Sequence, residues 1–117
     1  MSVERLQIVE KQTDPGVAVL TLTGKAMLGA QPTAVEETIT RLLAEGTRKI
    51  VVDLRGVSHI DSTGIGTFIA SLGKVTQAGG VLAMTGASGM VRDAFHVTRL
   101  DRIFRFFPDV ETALSTI

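Results

Sequence analysis

The stretch VVDLRGVSHIDSTGIG, residues 51–66, joins an apolar strand to a helix through a short polar turn. The strand is apolar without alternation, which is typical of a parallel strand covered on both faces. Asp61-Ser62-Thr63-Gly64 then opens a segment whose apolar residues recur at helical spacing. One or two hydroxyls therefore lie at a helix N-terminus, where unpaired N–H groups and the helix dipole favour a phosphate. We expect a small signalling domain that is switched by phosphorylation near Ser62.

The flanking sequence predicts an opening hairpin followed by alternating helices and strands. The turn signal Asp14-Pro15-Gly16 separates the two hairpin strands. Strands are predicted at residues 6–10, 17–23, 49–54 and 81–85, with a short last one within 100–106. Helices are predicted from near Pro32 to Gly46, from Ser62 to about Gln77, after the N-cap candidate Ser88, and from Pro108 to Ile117 with a cap near Asp109.

The apolar face predicted for the second helix consists of Ile65, Phe68, Ile69, Leu72 and Val75. The order of elements predicts an α/β fold, in which a mixed, mostly parallel sheet of about five strands is backed by about four helices. A chain of 117 residues has the length of one ordinary domain, and we expect a single domain over residues 1–117.

Composition argues against several classes of function. The chain has 12 Lys plus Arg and 12 Asp plus Glu, and this balance is unlike the basic stripe of a nucleic-acid-binding protein. It has no cysteine, so neither a disulfide nor a thiolate metal site is possible. No apolar signal region follows the first residues, and the apolar runs are too short to span a membrane. We expect a soluble, cytoplasmic protein that does not insert into membranes.

Enzyme and cofactor sites are poorly supported by the sequence. A hydrolase nucleophile elbow at Ser62 requires a glycine where Ile60 stands, and only His59 and His96 could serve as a base. Asp53 and Asp61 could hold a hard cation, but the favoured interpretation is that Asp53 ends a strand and Asp61 caps a helix. We therefore expect no catalytic residues, no metal and no cofactor.

Two segments keep alternative interpretations. Asp61-Ser62-Thr63-Gly64 is also an ordinary helix N-cap, a role that does not exclude phosphorylation of a hydroxyl in the first turn. The second segment has four arginines with two aspartates among them, which favours a solvated face of mixed charge over an anion site. It spans residues 92–105.

The chain resembles the STAS domains, the sulphate transporter and anti-sigma factor antagonist family, and looks most like its free-standing bacterial members. The resemblance covers nearly the whole length and depends on the order and spacing of several motifs. These are residues 19–24 (VLTLTG), 50–54 (IVVDL) with 57–60 (VSHI), 61–66 (DSTGIG), Gly79-Gly80, and Val91-x-x-x-Phe95 followed by Thr98-x-Leu100.

The resemblance implies a binding module rather than an enzyme. In free-standing members, an anti-sigma factor that is also a serine kinase phosphorylates the first hydroxyl after the motif aspartate, and a serine phosphatase removes the phosphate. By position, Ser62 would be the acceptor, with Thr63 the second choice, and Asp61 would shape the acceptor loop. Gly64 would allow close approach of the partner backbone. The helix from Ser62 would present the docking surface.

Small residues on that helix and one departure from the family pattern bear on the partner. Gly66 and Ala70 are four residues apart and suit close packing against another protein. Typical antagonists carry an acidic segment after the second strand, where this chain has Lys25-Ala26-Met27. The alternative hypothesis is therefore a constitutive scaffold or transport-complex subunit, in which Lys25 and Met27 form part of the contact and Ser62 only belongs to a helix cap.

Overall fold

The computed structural model describes residues 6–26 and 33–117. In these ranges the chain forms five strands, four α-helices and one short 3₁₀ helix. The strands are β1 (Gln7–Asp14), β2 (Val17–Ala26), β3 (Lys49–Ile60), β4 (Val81–Thr85) and β5 (Arg105–Phe107). The helices are α1 (Thr33–Ala44), α2 (Ser62–Gln77), α3 (Gly89–Val97) and α4 (Val110–Thr116), with the 3₁₀ turn at Leu100–Arg102.

The strands form one mixed sheet in the order β1-β2-β3-β4-β5. β1 and β2 pair antiparallel, and each later neighbour pairs in parallel. Parallel pairing aligns the carboxyl ends of β3, β4 and β5, so the helices that follow these strands begin at one edge of the sheet. The predicted α/β fold, with its opening hairpin and parallel remainder, is confirmed.

Two cores cover the two faces of the sheet. The larger one joins alternate strand residues such as Leu20, Val52 and Met84 to α1, α2 and α3. The smaller one lies under α4, where Val19, Val51 and Ala83 are aligned across three strands. Burial on both faces explains why β3 is apolar without alternation.

β3 is longer than the sequence predicts. The polar turn expected after Leu54 is absent, because β3 continues to Ile60 and remains paired with β2 through two irregularities in register. Val57 and Ile60 stay buried along this extension. The prediction that Asp53 ends the strand is therefore wrong: Asp53 lies within β3, where its buried carboxylate accepts hydrogen bonds from the backbone N–H and the guanidinium of Arg55.

The buried face of α2 also differs from the prediction. Ile69 is 43% exposed, whereas Thr67 and Ser71 are buried. Their hydroxyls donate to helix carbonyls, Thr67 Oγ1 to Thr63 O at 3.2 Å and Ser71 Oγ to Thr67 O at 2.8 Å. Because the helix itself satisfies these small polar groups, they can be buried, and the buried face is rotated relative to the apolar pattern.

Two further boundaries and one helix cap differ from the prediction. β1 extends to Asp14, well beyond the predicted end at Glu10, because antiparallel pairing with β2 needs no apolar side chains on an edge strand. The segment from Leu100 begins as a 3₁₀ turn, and only Arg105–Phe107 is strand. Ser88 occupies the N-cap position of α3 but makes no side-chain capping bond.

Candidate phosphorylation and docking site

The N-terminus of α2 is built around the side chain of Asp61. Asp61 has extended backbone angles, φ −117° and ψ −174°, and its Oδ1 accepts a hydrogen bond of 2.9 Å from the Gly64 N–H. Its carbonyl oxygen accepts the first helical bond, from Ile65 N at 2.9 Å. The predicted N-cap is confirmed, and it fixes the direction in which the first turn of α2 leaves β3.

The first two residues of α2 present hydroxyls to solvent. Ser62 and Thr63 are both exposed, and the first turn of the helix contains no acidic residue. The nearest negative charge in sequence is Asp61, directly before them. An added phosphate would therefore meet the positive end of the α2 dipole and one neighbouring carboxylate.

The ends of β2 and β3 form the adjoining surface. Lys25 is opposite His59, and Ala26 is opposite Ile60, two residues before Ser62. Ser58 Oγ donates to Gly24 O at 3.4 Å, and the His59 ring nitrogen Nδ1 lies 2.9 Å from Ser58 Oγ. The backbone of Lys25 therefore runs beside the end of β3, the strand that leads into Asp61 and Ser62. Met27 lies outside the described residues.

The exposed face of α2 is made largely of small residues. Gly66, Ala70 and Gly73 are exposed on this face, and Ile69 lies among them. A methyl group added at Gly66 or Gly73 would meet nothing within 4 Å. The fold therefore gives no steric reason for glycine at either position. We call Ser62, Thr63, Gly66, Ile69 and Ala70 the α2 surface.

Comparison with known proteins identifies the family. Residues 9–113 match the family model of the STAS domain. The chain belongs to the STAS domain family. A Staphylococcus aureus relative, the "Anti-sigma-B factor antagonist" of strain NCTC 8325, is 38% identical over 66 residues, which span 56% of this chain and 61% of that protein.

Solved structures agree with the fold of this STAS domain. An anti-sigma factor antagonist from Mycobacterium paratuberculosis superposes with a TM-score of 0.83 at 25% identity, covering 96% of this chain and 93% of the other. The Bacillus cell fate determinant SpoIIAA in its phosphorylated form superposes with a TM-score of 0.72 at 17% identity, covering 93% and 97%. At that identity the second likeness shows the fold alone.

The structure places the predicted site residues in different environments. Four of them share the exposed side of α2: Ser62, Thr63, Gly66 and Ala70. The backbone of Lys25 is paired with the end of β3, the strand that precedes this helix. Gly64, by contrast, is buried and has its N–H committed to Asp61. In the structure, Gly64 is part of the helix cap, because its N–H donates to the Asp61 side chain. Contact between Gly64 and a partner stays a prediction.

The analysis of apolar spacing assigned Ile69 to the core and so missed it as a surface residue. A helical wheel centred on Gly64, Phe68 and Val75, rather than on the apolar residues alone, would have placed Ile69 outside. Thr67 and Ser71, small hydroxyl residues one turn apart, were the sequence signal that the buried face of α2 includes polar residues.

In the described residues, neither histidine makes a hydrogen bond to Ser62 that would suggest nucleophilic catalysis. His59 contacts Ser58, and His96 on α3 contacts Asp101 at 2.9 Å. Over residues 6–26 and 33–117, no group of three or more histidine and acidic side chains could hold a metal ion. In the same ranges, no helix combines the length and apolarity needed to cross a bilayer.

Proposed function

We propose that this STAS domain is an anti-sigma factor antagonist that is switched at Ser62. Unphosphorylated, it binds an anti-sigma factor with serine kinase activity; phosphorylated, it releases that partner until a serine phosphatase resets it. It acts in the cytoplasm as a binding protein and not as an enzyme. The observation that carries the proposal is the exposed Ser62 hydroxyl at the start of a capped helix, beside an exposed face of small residues.

The fold tolerates a phosphate at Ser62. The side chain is exposed, so no core contact has to be displaced. The added charge of about −1.5 to −2 meets the positive end of the α2 dipole. Repulsion from Asp61 opposes this attraction, so the net effect on the stability of the free domain is small. The fold should remain intact when Ser62 is phosphorylated.

A docked partner does not tolerate the same charge. If the α2 surface is covered by another protein, the phosphate loses its water and gains no designed counter-charge. An uncompensated charge at a packed interface costs about 3–5 kcal/mol, which corresponds to a loss of affinity of roughly 100-fold or more. Phosphorylation would therefore separate the complex without unfolding either protein.

The small residues of the α2 surface support docking. Their short side chains let another backbone approach α2 closely, and Ile69 offers an apolar anchor within the same face. Glycine inside a helix lowers its stability, and the fold has open space for a larger side chain at Gly66. Close contact with a partner would explain why glycine occupies this position.

One observation favours the alternative, a constitutive scaffold or transport-complex subunit. The Asp61 side chain already satisfies the Gly64 N–H, so helix capping alone accounts for the first half of the motif. In that case Ser62 needs no modification, and Lys25 and Met27 contribute to a permanent contact.

Affinity capture from the source cells distinguishes the two functions. Wild-type protein, Ser62→Glu and Ser115→Glu serve as baits, and bound proteins are quantified by mass spectrometry. Ser115 is an exposed serine of α4 on the opposite face of the sheet, so its substitution adds the same charge away from the α2 surface. We expect wild type and Ser115→Glu to recover an ATP-binding anti-sigma factor and Ser62→Glu to lose it. Equal recovery with all three baits would refute the switch and favour the constitutive subunit.

A further inference from the structure

A cavity of about 420 Å³ lies between α3, the 3₁₀ turn and the end of β5. Its size falls in the range of roughly 300–1,000 Å³ that is usual for small-molecule sites. It opens beyond the carboxyl ends of β4 and β5, the edge of an α/β sheet where ligands commonly bind. It is separate from the α2 surface, and nothing in the proposed switch uses it.

One wall of the cavity is aromatic. Phe95, Phe106 and Phe107 line it, and Phe95 and Phe106 form an edge-on pair with ring centroids 5.3 Å apart. The same two rings pack against Phe104, so their positions are fixed by the core. A rigid aromatic wall favours a flat apolar group, because such a group gains ring contacts without ordering a mobile site.

The facing wall carries three titratable side chains. Arg92 and His96 are one turn apart on α3, and Asp101 comes from the 3₁₀ turn. The His96 Nδ1 lies 2.9 Å from Asp101 Oδ2, so this carboxylate is engaged by the imidazole. Within the described part of the chain, the ion pairs found involve arginines other than Arg92. The donors of the exposed Arg92 guanidinium are therefore open to solvent and to a ligand.

The charge along this segment is mixed, and of its four arginines only Arg92 lines the cavity. Residues 92–105 hold four arginines against two aspartates, and one of those aspartates is the partner of His96. The sequence favoured a solvated mixed-charge face for this segment; the structure places Arg92, which is exposed to solvent, on the rim of a cavity that has aromatic rings on its other side.

We propose that this cavity binds a small monocarboxylate with an aromatic body. The ring would lie against Phe95 and Phe106, which pack on the same face of the sheet, and the carboxylate would accept hydrogen bonds from Arg92, which suits bidentate recognition. The Asp101 carboxylate on the same rim disfavours ligands with two or more negative charges. The inference does not depend on the switch at Ser62.

A titration of the ¹⁵N-labelled full chain with 3-phenylpropionate, followed by amide chemical shifts, tests the site. 3-Phenyl-1-propanol is the matched probe, because it keeps the ring and the chain length and lacks the carboxylate. We expect saturable shifts centred on α3 and β5 with a dissociation constant below about 1 mM, and at least roughly tenfold weaker binding of the alcohol. Absence of saturable shifts up to about 10 mM, shifts centred elsewhere, or equal binding of both probes would overturn the proposal.

Two variants assign the binding to the guanidinium. Arg92→Gln should weaken 3-phenylpropionate about tenfold, the size expected for loss of a charge-assisted hydrogen bond. Arg102→Gln removes an exposed arginine of the same segment that does not line the cavity, and it should leave the dissociation constant unchanged. Equal effects of the two substitutions would show a general attraction by positive charge and would refute a site at Arg92.

Discussion

Replacing Gly66 by alanine should stabilise the free protein and weaken its proposed complex with an anti-sigma factor. Gly66 lies inside α2, is exposed, and has nothing within 4 Å of the position that an added methyl would take. The substitution therefore changes the helix and the outer surface while leaving both cores untouched.

The magnitude follows from helix propensity. Alanine in a helix interior is favoured over glycine by about 0.5–1 kcal/mol, because glycine loses more backbone entropy on folding. For a chain of 117 residues, this gain raises the melting temperature by about 2–4 °C. In a packed contact, the same methyl overfills the interface at about 1–3 kcal/mol, which lowers affinity by roughly 5- to 150-fold.

Urea unfolding and titration calorimetry measure the two effects on the same preparations. Gly73→Ala is the matched control, because Gly73 is also exposed on α2 with open space beside it and lies about 10 Å further along the helix. Both variants should be stabilised alike, and Gly66→Ala, which is one turn from Ser62, should weaken binding of the partner more than Gly73→Ala, which is further along the same face. If Gly66→Ala is more stable than wild type but binds the partner equally well, Gly66 has no role in docking. If Gly66→Ala is less stable than wild type, the space beside Gly66 is not open.

Three further predictions concern the fold. Gly56→Ala should lower the free energy of unfolding by about 1–3 kcal/mol, since its methyl would lie 2.9 Å from the Leu22 carbonyl oxygen and 2.5 Å from Thr23 Cγ2; unchanged urea unfolding would contradict this. Asp61→Ala should lower the free energy of unfolding by about 1 kcal/mol, and Asp61→Asn should lower it much less, because asparagine keeps the oxygen that accepts the capping bond. Equal losses of the two variants in urea unfolding would show that the capping bond is not the cause. The hydrogen bond from the Thr112 N–H lowers the pKa of Asp109, so its contribution to stability is present above the usual aspartate pKa and is lost as pH falls through the lowered one. Asp109→Asn should therefore flatten the acid limb of the stability profile, and a profile identical to wild type would refute this assignment.

The parts of the structure that depend on local chemistry were predictable. The Asp61 cap joins groups three residues apart, and the helix stop at Gly46 needs a positive φ, 98° here, that glycine adopts at little cost. The Asp109 cap of α4 follows the same pattern as that of Asp61. Each of these features is decided by residues within one turn of each other, so the sequence alone specifies them.

Features that depend on distant parts of the chain were not predictable. The extension of β3 to Ile60 needs the end of β2 beside it, and nothing local in residues 55–60 indicates that pairing. The exposure of Ile69 results from the burial of Thr67 and Ser71, whose hydroxyls the helix satisfies internally. The cavity beside Arg92 exists only because α3 and β5 meet, although they are separated by the 3₁₀ turn.

The candidate site divides along the same line. The position of Ser62 at a helix start follows from the DSTG motif. The exposure of Ile69 on the α2 surface depends instead on how α2 is rotated on the sheet. The backbone of Lys25 lies opposite His59 because of the register of β2 with β3, and no spacing within either segment reveals this pairing.

The affinity of the purified anti-sigma factor for the unmodified chain, compared with the chain phosphorylated only at Ser62, tests the central claim most directly. Incorporation of phosphoserine during synthesis supplies the second species, and circular dichroism checks that both are folded. The account predicts that phosphorylation weakens binding by roughly 100-fold or more while the melting temperature changes little. Equal affinities of two folded species would contradict the switch and leave Ser62 as part of a helix cap.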